Sequence, residues 1–148
     1  MARGRFFLKM DAKGRVAIPA GLRVELQAQG DRPPILTNLV DCPAVGVFAH
    51  DRWLEIEQRL ASMSQSQPEI LRYQRLLVSG AEECKLDAQS RVLVPPHLRD
   101  HASLGREVVI AGVGRRIEIW DRDRFEQELA EIRDDGPGVS RVAAELGL

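Results

Sequence analysis

The chain has 148 residues, of which 44% are hydrophobic and 29% charged, and its formal net charge at pH 7 is −1. These values are typical of a globular protein with one domain, or with two half-size units that share a core. Because its apolar runs are far shorter than the ~18 residues of a membrane-spanning helix, and no apolar signal segment follows the basic N-terminus, we expect a cytoplasmic protein without a membrane partner.

The charges are distributed unevenly along the chain. Residues 1–25 carry six basic and two acidic side chains, a net charge of +4, whereas residues 115–135 carry five basic and eight acidic ones, a net charge of −3. A nearly neutral protein can therefore present a basic face, which attraction to nucleic-acid phosphates requires. A solvated N-terminal strand is the alternative interpretation, and charge alone favours it.

The first predicted elements are two strands and a short helix. In RFFLKM the apolar residues Phe6, Leu8 and Met10 alternate with outward-facing neighbours, which is the period of a half-buried strand. The DAKG segment that follows has the Asp and Gly of a tight turn, and RVAIP alternates again. The pattern predicts a local hairpin between these two strands, followed by a helix after Pro19.

A second hairpin and two helices follow. PILTNLV and AVGVFA are strand-like and are joined by DCPA, a turn-forming segment. Asp51 is predicted to cap one helix, Pro68 to begin another and Gly80 to end it. We therefore expect a first unit at residues 5–51 and linking helices at residues 52–80.

The turn phrase then recurs 76 positions further on. KLDAQSRVLVPPHLR, residues 85–99, matches KMDAKGRVAIPAGLR, residues 9–23, at eight of fifteen positions. The strand-like segments REVVIA and RRIEIW come next, and Asp123 is placed to cap the helix after them. The repetition predicts an α+β fold with a second unit at residues 81–123, followed by a C-terminal helix and tail at residues 124–148.

Each phrase contains an Asp and, four positions later, an Arg: Asp11 with Arg15, and Asp87 with Arg91. At the two ends of a tight turn such a pair can form a bidentate ion pair, which orients the guanidinium so that it can meet a guanine edge or a phosphate. The alternative is a structural clip of the hairpin, which contributes less than ~1 kcal/mol when exposed. The residues alone favour neither interpretation.

The doubled DAKGR-type phrase, the run YQRLLVSGAEECKLD before its second copy and the RG near the N-terminus resemble the MraZ family of bacterial transcriptional regulators. The resemblance covers residues 3 to about 130. It implies two SpoVT-AbrB-type repeats, each with a D-x-x-x-R signature, whose swapped hairpins interleave into one pseudo-twofold β unit with flanking helices. It also implies a ring-shaped homo-oligomer that binds short G-rich repeats of double-stranded DNA in the promoter of its own division and cell-wall gene cluster.

Together with the basic N-terminal segment, the resemblance implies a nucleoid-associated protein with a defined set of DNA contacts. The expected DNA-binding residues, all of them basic, are Arg3, Arg5, Lys13, Arg15 and Arg91. The residues expected to hold the two turns are Asp11, Gly14 and Asp87. The alternative function is an oligomeric assembly or partner-binding module that keeps the fold but binds DNA weakly or not at all.

The second copy departs from the first at its turn. Gly14 becomes Ser90, which costs ~1–2 kcal/mol if the position requires a positive φ. Lys13 becomes Gln89, which removes a cation that could seek phosphate. We therefore expect the second turn to be shaped differently and its arginine to contribute less to DNA binding.

Enzyme and metal chemistry find no support in the sequence. The segment Gly112-Val113-Gly114 lacks the rest of a dinucleotide-binding fingerprint and is better explained by a β-turn. His97 and His101 have a spacing that zinc favours, but no third ligand is evident. Cys84 is expected to be a small buried hydrophobe rather than half of a disulfide. We therefore predict that the protein is not an enzyme and uses no cofactor or metal.

Overall fold

The computed structural model describes residues 1–27, 32–134 and 136–148, and these ranges contain eight strands and six helices. The strands are β1 (Ala2–Lys9), β2 (Arg15–Ala17), β3 (Ile35–Asn38), β4 (Val45–Phe48), β5 (Glu82–Glu83), β6 (Arg91–Leu93), β7 (Glu107–Gly114) and β8 (Arg116–Asp121). The helices are α1 (Ala20–Gln27), α2 (His50–Ser62), α3 (Pro68–Leu77), α4 (Pro96–His101), α5 (Arg122–Asp134) and α6 (Gly136–Glu145). The fold class is α+β, as the sequence predicts.

Six strands form one antiparallel sheet in the order β1-β7-β8-β4-β3-β5, and β2 pairs with β6 in a separate two-stranded ribbon. If each strand of the first repeat is exchanged for its counterpart in the second and the sheet is read from the opposite edge, the strand order is the same. The first strand of each repeat pairs with the second hairpin of the other repeat, and the two hairpins meet where β4 pairs with β8. The repeats therefore interleave around a pseudo-twofold axis, which is the swapped arrangement that the resemblance implies.

The local hairpin predicted between the first two strands is wrong. β1 pairs with β7 along its whole length, and β2 pairs with β6. After β1, the N–H of Met10 still donates to the carbonyl of Arg106 at 2.7 Å, so the chain stays with the second repeat until it enters the turn. Alternating apolar residues determine which face of a strand is buried, but they do not specify its partner.

The residues predicted to point inward fill the first of two hydrophobic clusters. Val16 and Ile18 of the first repeat, with Val92 and Val94 of the second, are at most 2% exposed. They pack together with residues of the large sheet, including Ile110. Because full burial of such a side chain stabilises the fold by about 1.5–3 kcal/mol, this cluster fixes the ribbon against the sheet.

The second cluster lies on the opposite face of the sheet and is rich in aromatic residues. Trp53 of α2 packs on Phe48 with ring centroids 5.8 Å apart, and Phe125 of α5 packs on Trp120 at 5.6 Å. Each helix thus anchors its aromatic ring on the hairpin that precedes it in the chain. Such pairs contribute about 0.5–1.5 kcal/mol beyond the burial of their area.

Both helices that follow the second hairpins begin before the predicted caps. α2 begins at His50 without a side-chain cap, so Asp51 lies inside its first turn. α5 begins at Arg122, and the carboxylate of Asp121, rather than that of Asp123, accepts an N–H of the first turn at 3.4 Å. Acidic residues are favourable anywhere in a first turn because of the helix dipole, which is why the sequence indicates the helix end better than the exact cap.

Helix α3 connects the two repeats, and α6 extends beyond the second. Pro68 begins α3 as predicted, and α6 exposes the apolar side chains of Val139 and Val142. Among the helices of the described ranges, none is long and apolar enough to cross a membrane.

Candidate nucleic-acid interface

The first signature turn is held by a single carboxylate. The N–H groups of Lys13 and Arg15 both donate to Asp11 Oδ1 at 2.9 Å, and the Nε–H of Arg15 donates to Asp11 Oδ2 at 2.7 Å. The backbone closes the turn, since the N–H of Asp11 donates to the carbonyl of Arg15 at 2.9 Å. Asp11 therefore fixes both the turn and the direction of the guanidinium.

The second turn repeats these contacts. The N–H groups of Gln89 and Arg91 donate to Asp87 Oδ1, and the Nε–H of Arg91 donates to Oδ2, all at 2.9 Å. Ser90 adopts a φ of 60°, in the left-handed region where Gly14 lies at 90°. The expectation that the second turn is shaped differently is therefore wrong, because the serine adopts the required conformation at a cost of ~1–2 kcal/mol.

The hydrogen bonds of the turns lower the pKa of both aspartates. The backbone N–H of Arg15 is the largest cause that lowers the pKa of Asp11 from 3.8 to about 2, and the guanidinium of the same residue acts in the same direction. The equivalent donors of Arg91 lower the pKa of Asp87. Donors that bind the charged form of a carboxylate stabilise that form.

The two turns bring four side chains together on the outer face of the β2–β6 ribbon. Val16 lies opposite Val92 in the register and both are buried, so the residues on either side of them in the ribbon point outward. Nη1 of Arg91 lies 3.8 Å from Oδ2 of Asp11, which connects the turns. We name the four residues of this arrangement, whose side chains are 32–34% exposed, the signature cluster: Asp11, Arg15, Asp87 and Arg91.

The signature cluster leaves hydrogen-bond donors for a ligand. Each aspartate accepts a hydrogen bond from the Nε–H of its own arginine. The terminal nitrogens of both arginines therefore remain available to a ligand. Within residues 1–27, 32–134 and 136–148, those of Arg15 donate to no protein acceptor, and Nη2 of Arg91 makes a 3.4 Å contact to Oε1 of Gln89. A guanidinium oriented in this way matches the paired acceptors of a guanine edge or a phosphate.

Arg23 and Arg99, the last residues of the two phrases, brace the turn of the opposite repeat. Nη1 of Arg23 donates to Oγ of Ser90. The guanidinium of Arg99 packs on Gly14, where an added Cβ would lie 2.7 Å from Arg99 Cζ. The only sign of this role in the sequence is that the repeat preserves both arginines, because the contacts exist only in the swapped pairing.

Basic side chains also line a groove beside each turn. Lys9, Arg99 and Arg106 line the groove next to the first turn. Arg32 and Lys85 line the groove next to the second turn. None of these five residues is among the predicted DNA contacts, although Lys9 and Lys85 occupy the same position in the two phrases. Both turns are thus flanked by cations that can bind phosphate.

The predicted DNA-binding residues separate into two groups. Lys13 lies in the first turn, next to the signature cluster, whereas Arg3 and Arg5 lie on β1. They precede Lys9 by six and four residues, or roughly 13–20 Å along an extended strand. The guanidinium of Arg5 lies 5.7 Å from the ring centroid of Phe125, in a cation–π contact with α5. The structure therefore does not bring Arg3 and Arg5 to the signature cluster.

The two histidines have separate structural contacts. Nε2 of His97 lies 3.0 Å from the carbonyl of Gly80, and Nε2 of His101 lies 3.1 Å from the carbonyl of Leu39. In the part of the chain that the structure describes, no three His, Cys, Asp or Glu side chains are grouped so that they could hold a metal ion. The zinc-like spacing of the two histidines is explained by these contacts to backbone.

The cysteines and the GVG segment are also structural. Cys42 and Cys84 are free thiols, and Cys84 is buried in the first hydrophobic cluster as predicted. Burial is the main cause that raises the pKa of Cys42 to about 12 and that of Cys84 to about 11. The turn predicted for the GVG segment is formed at its end, where Gly114 has a φ of 68° at the junction of β7 and β8. Gly112 lies within β7, and a Cβ there would lie 2.3 Å from the backbone nitrogen of Arg3. Close approach of two strands therefore requires this glycine.

Comparison with known proteins shows the family of the chain. The model of the family described as "MraZ protein, putative antitoxin-like" matches residues 1–76 and 77–136. The protein named "Transcriptional regulator MraZ" from Moorella thermoacetica is 40% identical to this chain, in an alignment that covers all of both chains. The protein of that name from Pseudoalteromonas translucida is 37% identical, over 88% of this chain and 86% of the relative. The protein of the same name from Coxiella burnetii is 36% identical, over 85% of this chain and 83% of the relative. These names agree with the expectation that the chain is not an enzyme. The two matched segments and the extent of these alignments show that the chain belongs to the MraZ family.

Proposed function

We propose that this chain is a transcriptional regulator that binds double-stranded DNA in a sequence-specific way through the outer face of the β2–β6 ribbon. One observation carries the proposal: Arg15 and Arg91 lie on the same outer face of a two-stranded ribbon, one at each end, and each is oriented by its own aspartate. A structural clip would need no second arginine within reach of the first turn, yet Arg91 lies 3.8 Å from the carboxylate of Asp11.

The dimensions of the ribbon suit the major groove. A two-stranded antiparallel ribbon fits this groove, which is about 12 Å wide and presents a distinct pattern of donors and acceptors for each base pair. An arginine that donates two hydrogen bonds prefers the O6 and N7 atoms of guanine. Two such arginines in one ribbon support the expectation that the sites are rich in guanine.

The cations around the ribbon supply contacts to the DNA backbone. Lys9, Lys13 and Arg106 lie beside the first turn, and Arg32 and Lys85 beside the second. Phosphate contacts of this kind fix the register of a protein on the duplex without reading sequence. Each of them adds about one unit to the slope of log affinity against log salt. Arg3 and Arg5 would reach only more distant phosphates.

We extend the proposal to the oligomeric state and the target that the resemblance to the family implies. We expect a closed ring whose subunits bind several short repeats in the promoter of the chain's own division and cell-wall gene cluster, and hence a nucleoid-associated protein. Exposed apolar side chains are available for subunit contacts; among them are Phe7 on the edge strand β1 and Val113 on β7. Light scattering is expected to show an oligomer, and a stable monomer at micromolar concentration would contradict this part of the proposal.

A gel-shift assay on the DNA upstream of the gene tests the function. The wild-type protein should shift this fragment in the presence of excess scrambled DNA, and Arg15→Ala should weaken the specific shift, by about 1–3 kcal/mol of discrimination, while melting temperature and oligomer size stay unchanged. Arg72→Ala is the matched control, because this exposed arginine lies on α3. If wild-type protein bound no DNA, or bound the scrambled fragment equally well, the alternative of an assembly or partner-binding module would be supported instead.

A further inference from the structure

One residue on the outer face of the ribbon breaks the symmetry between the repeats. In the register of β2 with β6, Arg15 lies opposite Leu93, and Ala17 lies opposite Arg91. Leu93 and Ala17 occupy equivalent positions in the two phrases, so one end of the ribbon carries a large apolar side chain where the other carries a single methyl group. The turn residues differ between the same two ends, with Lys13 before Arg15 and a neutral glutamine before Arg91.

Leu93 is a large apolar residue on an exposed surface. Its side chain is 53% exposed, whereas its neighbours Val92 and Val94 are fully buried on the inner face. It stands directly across the ribbon from the oriented guanidinium of Arg15, on the surface that the proposed function places against DNA. An exposed leucine among charged groups gains most from a partner that offers both hydrogen-bond acceptors and an apolar group.

We propose that Leu93 contacts the 5-methyl group of a thymine next to the guanine that Arg15 reads, so that one chain recognises a directional rather than a palindromic site. The proposal rests on the proposed function and extends it to a specificity-determining residue. The thymine methyl is the only large apolar group on the major-groove edges of the four standard bases. A leucine in the groove therefore has one base for which it can select.

The spacing supports adjacent bases. Side chains directly opposite each other in an antiparallel pair have Cβ atoms about 4.5–5.5 Å apart, and successive bases of one strand are spaced by about 3.4 Å along the helix axis. Arg15 and Leu93 therefore meet base pairs one or two steps apart. At the other end of the ribbon the methyl side chain of Ala17 is too short to reach the bases next to the one that Arg91 contacts, so no matching thymine preference arises there.

The test replaces thymine with uracil, which lacks only the 5-methyl group. Duplexes are first selected from a random pool with the wild-type full-length protein, and the enriched pool is then amplified with either dTTP or dUTP. Affinities for both pools are measured for wild type, Leu93→Ala and Val40→Ala. Val40→Ala is the matched control, since Val40 is also about half exposed, at 51%, but lies in the turn between β3 and β4.

Wild type and Val40→Ala should bind the thymine pool at least about fourfold more tightly than the uracil pool, the effect of one buried methyl group. Leu93→Ala should bind both pools alike, with unchanged melting temperature. A second variant, Ala17→Leu, should acquire an additional thymine preference in a fresh selection, on the opposite side of the guanine core.

Different outcomes would overturn the role of Leu93 and the proposed DNA binding on which that role rests. Equal affinity of the wild-type protein for both pools, or a thymine preference that survives in Leu93→Ala, would overturn the role of Leu93 while leaving Arg15-dependent DNA binding in place. Failure of the wild-type protein to enrich any sequence from the pool would overturn the proposed function, and this inference with it.

Discussion

Asp11 and Asp87 each use three hydrogen bonds to hold one turn and one arginine. The value of these contacts lies less in stability than in orientation, because exposed ion pairs contribute only about 0–1 kcal/mol. Orientation matters for recognition, since an arginine that is already directed loses less conformational entropy when it meets two acceptors. At the scale of single residues, the aspartates are therefore positioning residues for DNA contacts made by arginine.

Acid should remove the contribution of these aspartates to stability. The pKa of Asp11 lies at about 2 in the folded protein, below its ordinary value of 3.8, so its stabilising effect is complete above about pH 4 and is lost as the pH falls toward 2. The melting temperature of the wild-type protein should therefore exceed that of Asp11→Asn at neutral pH. The difference between the two melting temperatures should narrow as the pH falls over this range. Asp134→Asn, at the exposed end of α5, is the control. A difference in melting temperature that stays constant down to pH 2 would contradict the lowered pKa of Asp11.

Gly14 should tolerate substitution poorly. Its φ of 90° is costly for any residue with a Cβ, and a Cβ would also displace the guanidinium of Arg99. We expect Gly14→Ala to lower the free energy of unfolding by about 1–2 kcal/mol, measured by urea denaturation. Gly21→Ala is the matched control, since it has open space in α1 and should be neutral or stabilising by up to about 1 kcal/mol. A neutral Gly14→Ala would show that the first turn does not need its present shape.

At the scale of elements, the ribbon acts as one reading surface. Because Asp11 and Asp87 hold their arginines in the same way, we expect Arg15→Ala and Arg91→Ala to cause comparable losses of discrimination between specific and scrambled DNA, about 1–3 kcal/mol each. Fluorescence anisotropy with both duplexes measures these losses. A large loss of discrimination for Arg15→Ala with none for Arg91→Ala would contradict this and support the expectation from the sequence that Arg91 contributes less to DNA binding.

The elements also show how far the sequence could predict the structure. Alternation placed Val16 and Ile18 on the buried face correctly, and the repeated phrase located both signature turns. The partner of each strand was not predictable, because periodicity carries no information on pairing between repeats. The contact of Arg99 with Gly14 and the position of Leu93 opposite Arg15 both depend on that pairing, so neither could be derived from spacing.

At the scale of the whole molecule, the swapped pairing makes the two halves depend on each other. β1 and β2 find their partners, β7 and β6, only in the second repeat. We therefore expect the fragment of residues 1–76 not to fold as a monomer, as measured by circular dichroism and sedimentation, and to regain structure when the fragment of residues 77–148 is added. A folded monomer of residues 1–76 would contradict the interleaved arrangement, since it would require the local hairpin.

The central claim, that the ribbon reads guanine from the major groove, is tested most directly by methylation interference. Methylation of guanine N7 blocks one of the two acceptors that an arginine uses, without changing the minor groove or the phosphates. Duplexes of the upstream DNA, sparsely methylated at N7, are separated into fractions bound and unbound by the wild-type protein. We expect guanines at regular positions in the repeats to be depleted from the bound fraction. Binding that is indifferent to N7 methylation would contradict the account, because Arg15 and Arg91 would then not be reading bases in that groove.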